Sequence, residues 1–209
     1  MINFLIVDDH SIFRQGVKMI ITNAFEKSVC NEAGNSAEAL VKLNKQKFDM
    51  VILDINMPGR SGLDFIADVL SFNTEIPILV LSMYEEDQMA LRALKAGAKG
   101  YLTKSRAADD LIRAINRILS GKQYITENVA ELLLNEVQKK ETGDVMKALS
   151  DREYFVLMRL AAGETLTEIS KSLTLSVKTI YTYRIRCMKK LNLKNMAQLV
   201  SFVKDNNHV

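Results

Sequence analysis

Five short apolar segments rich in β-forming residues constrain this chain more than any other feature. They are Asn3 to Val7, Ser28 to Ala33, Met50 to Leu53, Ile78 to Leu81 and Gly100 to Leu102, and they recur at intervals of about 25 residues. Apolar stripes at helical spacing follow each of them: Ile12, Val17 and Ile20; Ala39, Leu40 and Leu43; Leu63, Ile66 and Leu70; Met89, Leu91 and Leu94; Leu111, Ile115 and Ile118. Strand and helix in strict alternation imply a parallel sheet covered by helices on both faces, and right-handed crossovers leave few strand orders. A doubly wound α/β domain ending near Gly121 is therefore expected.

Beyond it the strand signal stops. Val129, Leu132, Leu133 and Val137 give an amphipathic helix over 126–140, and the polar stretch Glu141 to Asp144 reads as a connection. Helix starts then dominate. Ser150 with Glu153 and Thr165 with Glu168 have capping-box spacing, and Ser176 is a third N-cap candidate. The expected helices are 151–162, 166–173, 177–190 and 195–204, with Gly163 ending the first. The organisation read from the sequence is 1–121, a helical linker 122–146, and a small all-α domain 147–209.

Charge divides along the same line. Residues 1–147 carry 18 basic and 20 acidic side chains, whereas residues 148–209 carry 10 and 5. Between Ile169 and Lys204 there are eight Lys or Arg and no Asp or Glu, a footprint suited to phosphate backbones. No apolar run reaches the ~20 residues of a membrane-spanning helix, and Met1 to Val7 has no basic flank. The two cysteines, Cys30 and Cys187, are far apart, so a local metal or redox motif is not expected. A cytoplasmic protein without a membrane partner is the expectation.

Ligands of open α/β sheets bind beyond the carboxyl ends of the strands. There the first strand delivers Asp8 and Asp9, the third Asp54, the fourth Ser82, and the fifth leads through Tyr101 to Lys104. With strand order 2-1-3-4-5 the three carboxylates are neighbours. They call for a counter-ion, which Mg2+, a hard cation that takes carboxylates, water and phosphate oxygens, would supply. Lys104 adds a fixed positive charge, Asp54 is a nucleophile towards a phosphoryl group, and Ser82 is a donor to its oxygens. In the second domain, the segment 166–191 has helix-turn-helix spacing around Thr174 to Ser176. Leu166, Ile169 and Leu173 line the inner side of one helix, and Val177, Ile180, Met188 and Leu191 that of the next. Lys178, Tyr181, Thr182, Arg184, Arg186 and Lys189 face outward, a set suited to base edges and phosphates.

The text VDDH at 7–10, LDINMPGRSG at 53–62, LSMY at 81–84 and AGAKGYLTK at 96–104 resembles the CheY-like receiver domain of bacterial two-component response regulators, a flavodoxin-like fold. LSDRE at 149–153 and AAGETLTEISKSLTLSVKTIYTYRIRCMKKLNL through 193 resemble the LuxR-type DNA-binding domain of the NarL/FixJ class. The pattern Lys178-Thr179 followed by Tyr183-Arg184 resembles the GacA/UvrY subgroup. The resemblance implies that Asp54 accepts a phosphoryl group from a sensor histidine kinase. It implies that Asp9, Asp54 and the carbonyl of Asn56 bind Mg2+ with Asp8 assisting, and that Ser82, Tyr101 and Lys104 read the phosphorylated state. For the DNA-binding motif, about 166–185, it adds Thr179 and Tyr183 to the outward set. The expected protein is a transcriptional regulator, a homodimer when active, that binds a roughly palindromic double-stranded site. It would catalyse nothing beyond its own phosphoryl transfer and dephosphorylation.

Two departures from the receiver pattern stand out: Ser105 follows Lys104 where most relatives have Pro, and Met83 is bulky beside Ser82. Two rivals remain open on sequence. An aspartyl-phosphate phosphatase would need a second Asp two residues after the nucleophile, where this chain has Asn56. A constitutive DNA-binding protein with a purely structural first domain would bind DNA indifferently to Asp54.

Overall fold

The computed structural model describes residues 1–57, 62–73, 75–83, 87–138, 145–173 and 175–206. Residues 58–61, Tyr84, Glu141 to Asp144, Thr174 and the side chain of Val137, all used in the sequence reading, lie outside the described residues. The chain divides into two compact units, Met1–Gln138 and Lys139–Val209.

In the first unit β1 (Ile2–Val7), β2 (Ser28–Ala33), β3 (Met50–Asp54), β4 (Ile78–Ser82) and β5 (Gly100–Thr103) form one parallel sheet in the order β2-β1-β3-β4-β5. Every residue of β3 and β4 is buried, as their unbroken apolar runs require of central strands covered on both faces. Helices α1 (Ser11–Ala24), α2 (Ser36–Lys45), α3 (Gly62–Phe72), α4 (Asp87–Lys95) and α5 (Ala107–Leu119) connect and flank the strands. One core joins Phe4, Ile6, Met50, Ile52, Leu79 and Leu81 of the sheet to Val17 and Ile21 of α1 and Leu111, Ile115 and Ile118 of α5. Ile12 departs from its expected place. It sits in the first turn of α1 and is 88% exposed, so the inward stripe is Val17 and Ile21, with Phe13 and Ile20 partly buried beside them.

The pairing aligns the carboxyl ends of the strands. Val7 lies opposite Leu53, Asp54 opposite Leu81, and Ser82 opposite Thr103. Asp8, Asp54, Ser82 and Lys104 therefore emerge at one edge.

The chain after α5 returns to the sheet. Tyr124 forms a parallel bridge with Gly100; Tyr101 N donates to Tyr124 O at 3.2 Å, and Tyr124 N to Lys99 O at 3.0 Å. The next helix, α6 (Glu127–Gln138), packs on α4. Residues 122–138, set within a linker on sequence grounds, thus belong to the compact first unit.

Among its described residues the second unit holds a 3-10 turn at Val145–Ala148 and four helices: α7 (Asp151–Ala161), α8 (Leu166–Leu173), α9 (Val177–Lys190) and α10 (Met196–Asn206). Their starts follow from local chemistry. Ser150 and Glu153 form a reciprocal capping box, Thr165 and Glu168 bond reciprocally in the same way, and Ser176 Oγ accepts from Thr179 N. Gly163, at φ +90, stops α7 in a conformation that costs a side-chain-bearing residue more. Leu157, Ile169, Leu173, Ile180, Cys187 and Leu199 are among its buried residues. Val177 departs from the expected inner stripe. As the first residue of α9 it is 43% exposed, and Cys187 fills the inner face further along. No described helix is long and apolar enough to cross a membrane.

Candidate functional site

The sheet edge of the first unit gathers three carboxylates, two of them on one ammonium. Asp54, the last residue of β3, is fully buried, and Asp8, just past β1, is 2% exposed. Lys104, which opens a short 3-10 turn after β5, brings Nζ to 2.7 Å from Asp54 Oδ2 and 2.8 Å from Asp8 Oδ2. The same ammonium stands 4.6 Å from the centre of the Phe13 ring, a cation–π arrangement. Asn56 N donates to Asp54 Oδ1 at 2.8 Å, fixing the turn that follows β3. Asn56 Nδ2 reaches Ser82 Oγ at 3.4 Å, and Ser82 is wholly buried.

The electrostatics follow from this packing. Burial pushes the Asp54 carboxyl above its ordinary range, a shift that Lys104 and the Asn56 N–H oppose and Asp8 reinforces. Burial alone would lower the Lys104 ammonium; the carboxylates of Asp54 and Asp8 outweigh it and hold the group above its usual value. Lys104 is therefore a fixed cation beside the buried Asp54 carboxylate.

Ligand atoms of Asp8, Asp9, His10 and Asp54 all lie within 4.8 Å of one another. Hard oxygen donors of this kind suit a divalent cation. Three carboxylates against Lys104 leave an excess of negative charge that such an ion would neutralise. His10 was not among the sequence candidates. It adjoins Asp8 and Asp9 where the chain leaves β1 and turns over the sheet edge, which is the signal that could have found it.

Tyr101 is buried at 7% exposure on β5. It lines a cavity of about 300 Å³ with Thr103, Arg106, Tyr124, Thr126 and Val129. The cavity thus lies between β5 and the returning segment that leads into α6. The Lys104–Ser105 peptide is trans, Ser105 Oγ and Thr103 Oγ1 share a hydrogen bond at 3.0 Å, and Met83 is 64% exposed.

In the second unit Lys178, Tyr181, Thr182, Arg186 and Lys189 are exposed on α9. Thr179, Tyr183 and Arg184 are half-buried. Thr179 Oγ1 shares a 2.8 Å hydrogen bond with Ser176 Oγ, and Thr182 Oγ1 donates to Lys178 O. Behind this face Glu153 Oε2 accepts from Ser150 N at 2.8 Å and from Lys190 Nζ at 2.6 Å, while Cys187 Sγ donates to Glu153 O. Burial pushes the Cys187 thiol up to about 12. These residues set the pose of α9 rather than offering it groups for a ligand.

Comparison with known proteins gives two family matches: the response regulator receiver domain over residues 4–116, and the luxR family of bacterial regulatory proteins over 147–203. The response regulator UvrY of Escherichia coli is 32% identical over 200 residues, covering 95% of this chain and 92% of its own. The response regulator GacA of Pseudomonas protegens is 32% identical over 199 residues, covering 95% and 93%. RcsB from Salmonella enterica serovar Typhimurium, solved bound to the promoter rprA in the presence of the phosphomimetic BeF3-, superposes with a TM-score of 0.57 at 28% identity, covering 98% of each chain.

Proposed function

For a chain that belongs to the two-component response regulators, joining a receiver domain to a luxR-family DNA-binding domain, we propose that Asp54 is the phospho-acceptor and that its modification governs DNA binding through α9. The observation that carries this reading is the placement of Lys104 Nζ 2.7 Å from Asp54 Oδ2 at the buried sheet edge. Asp54 attacks the phosphorus of a phosphohistidine on a sensor kinase; the P–N bond breaks as the acyl-phosphate P–O bond forms, and the histidine leaves. Lys104 stabilises the charge on the phosphoryl oxygens, and the Asn56 N–H holds Asp54 in position. Ser82, buried beside Asn56, donates to a phosphoryl oxygen once it arrives.

Asp8, Asp9 and Asp54, with the carbonyl of Asn56, would hold a divalent cation of the Mg2+ class. When bound, it supplies further neutralisation of charge at the transferred group.

The phosphoryl group adds about −1.5 to −2 charge, and Lys104 and Ser82 shift to meet it. Tyr101 responds on the outer side of β5, where its backbone is bonded to Tyr124 just before α6. The receiver is thereby a two-state element whose change reaches the helix leading out of it. On the DNA side Lys178, Tyr181, Thr182, Arg186 and Lys189 meet the major groove and flanking phosphates. Thr179, Tyr183 and Arg184 support them. A dimer presents two such helices to a roughly palindromic site.

Incubation of the full chain with acetyl phosphate and Mg2+, followed by intact-mass measurement, tests the acceptor. One added phosphoryl group is expected, absent from Asp54→Ala; incorporation that survives the substitution overturns the assignment.

A further inference from the structure

Two parallel ridges of side chains run along the exposed side of α9. Lys178, Thr182 and Arg186, four residues apart and with Lys189 beyond them, form one that is polar and cationic. Val177, Tyr181 and Ile185, each one residue earlier, form the other, and they are 43%, 50% and 45% exposed. Residues four apart stack along one helix face, so an apolar file lies directly beside a cationic one. A single exposed apolar side chain is ordinary. Three in one file are a surface, and the packing of the unit does not require it, because Ile180, Cys187 and Met188 fill the buried side of α9.

The neighbouring charges identify what this surface meets. Lys178, Arg186 and Lys189 stand in a stretch that has no Asp or Glu between Ile169 and Lys204, so the partner is a polyanion that also offers an apolar group. The major groove of DNA has both: phosphates on its walls and, among the base edges on its floor, the C5-methyl of thymine. The ridge starts at the first residue of α9, the end that a recognition helix directs at base edges. It extends ~12 Å along the axis, the reach of about three to four stacked base pairs.

We propose that the ridge of Val177, Tyr181 and Ile185 sets the sequence preference of the chain by packing on thymine methyl groups in the major groove. This rests on the reading of α9 as the helix that binds DNA. The two ridges divide the work. Lys178, Arg186 and Lys189 attract any duplex through its phosphates, and the apolar file rewards only those duplexes whose thymines lie beneath it.

The test uses the full chain treated with acetyl phosphate and Mg2+, and the duplexes it retains from a random-sequence library. Each thymine of a retained duplex is replaced in turn by deoxyuridine, which removes the C5-methyl and keeps the base pairing. Binding is titrated for native protein, the double variant Val177→Ala/Ile185→Ala and Lys178→Ala, at low salt so that phosphate contacts keep every variant measurable. Native protein is expected to lose about threefold to fivefold in affinity at one or more thymines of each half-site, the effect of withdrawing one methyl-sized group from an apolar contact. The double variant should lose almost nothing at the same positions, and Lys178→Ala should keep the full native penalty. A native chain indifferent to every deoxyuridine, or a double variant with an undiminished penalty, overturns the proposal. If Lys178→Ala then still weakens binding to all duplexes, the DNA reading of α9 survives that failure; if the chain retains no duplex at all, both fall. A double variant that alters self-association in sedimentation and leaves the deoxyuridine penalty intact would make the ridge a contact between copies of the chain, which also overturns the proposal.

Discussion

Asp54 is surrounded by neighbours contributed by three other strand ends, and the positions that hold those neighbours are as exacting as Asp54 itself. Gly62 is one. A Cβ added there would lie 2.3 Å from Ile55 Cα, so the start of α3 packs directly on the backbone one residue past Asp54. Gly62→Ala is expected to displace that turn, destabilising the first unit by about 1–3 kcal/mol and slowing phosphoryl uptake more than a distant substitution of equal cost; denaturant melts paired with uptake rates would check both. Glu153 is the corresponding residue of the second unit. Burial pushes its carboxyl up, but Lys190 and the Ser150 N–H outweigh burial and hold it below the usual range. A depressed carboxyl contributes stability that is present above the unfolded value of about 4.3 and is lost as pH falls through the folded value. Glu153→Gln should therefore cost about 1–2 kcal/mol near neutral pH and progressively less below about pH 4.5, read from thermal melts across that range.

The elements were legible to different depths. Strands with unbroken apolar runs, such as Met50–Asp54 and Ile78–Ser82, announce themselves because both faces are buried. The capping residues Ser150, Thr165 and Ser176 fixed three helix starts because their chemistry is local. Ile12 and Val177 were misplaced for a shared reason. Each lies in the first turn of its helix, where the apolar pattern has no preceding turn to set its phase, and both point outward. The return of Tyr124 to the edge of β5 had no sequence signal, since a single bridged residue has no periodicity. His10, by contrast, directly follows Asp8 and Asp9 in the chain, and its N–H bonded to Asp8 Oδ1 keeps it at the sheet edge. For α9 the outward residues split into exposed cations and half-buried supports. Lys178→Ala and Arg186→Ala should each weaken binding about equally across DNA sequences and reduce the steepness of its salt dependence by about one ion, measured by titration at several salt concentrations.

Across the whole molecule, acidic and basic chemistry are segregated. The first 147 residues carry more acidic than basic side chains, while residues 148–209 carry 10 basic against 5 acidic. This division suits a chain in which one unit takes up a phosphoryl group and the other binds a polyanion. Family membership and the 32% identity to UvrY over 95% of the chain agree with that arrangement. The connection between the two activities is the central claim, and neither unit tests it alone. The decisive measurement is a DNA-binding titration of the full chain with and without acetyl phosphate and a divalent cation, run in parallel on Asp54→Ala. The account predicts that the donor shifts the binding curve of the native chain and leaves that of Asp54→Ala where it was. A curve that moves for neither protein, or equally for both, would contradict it.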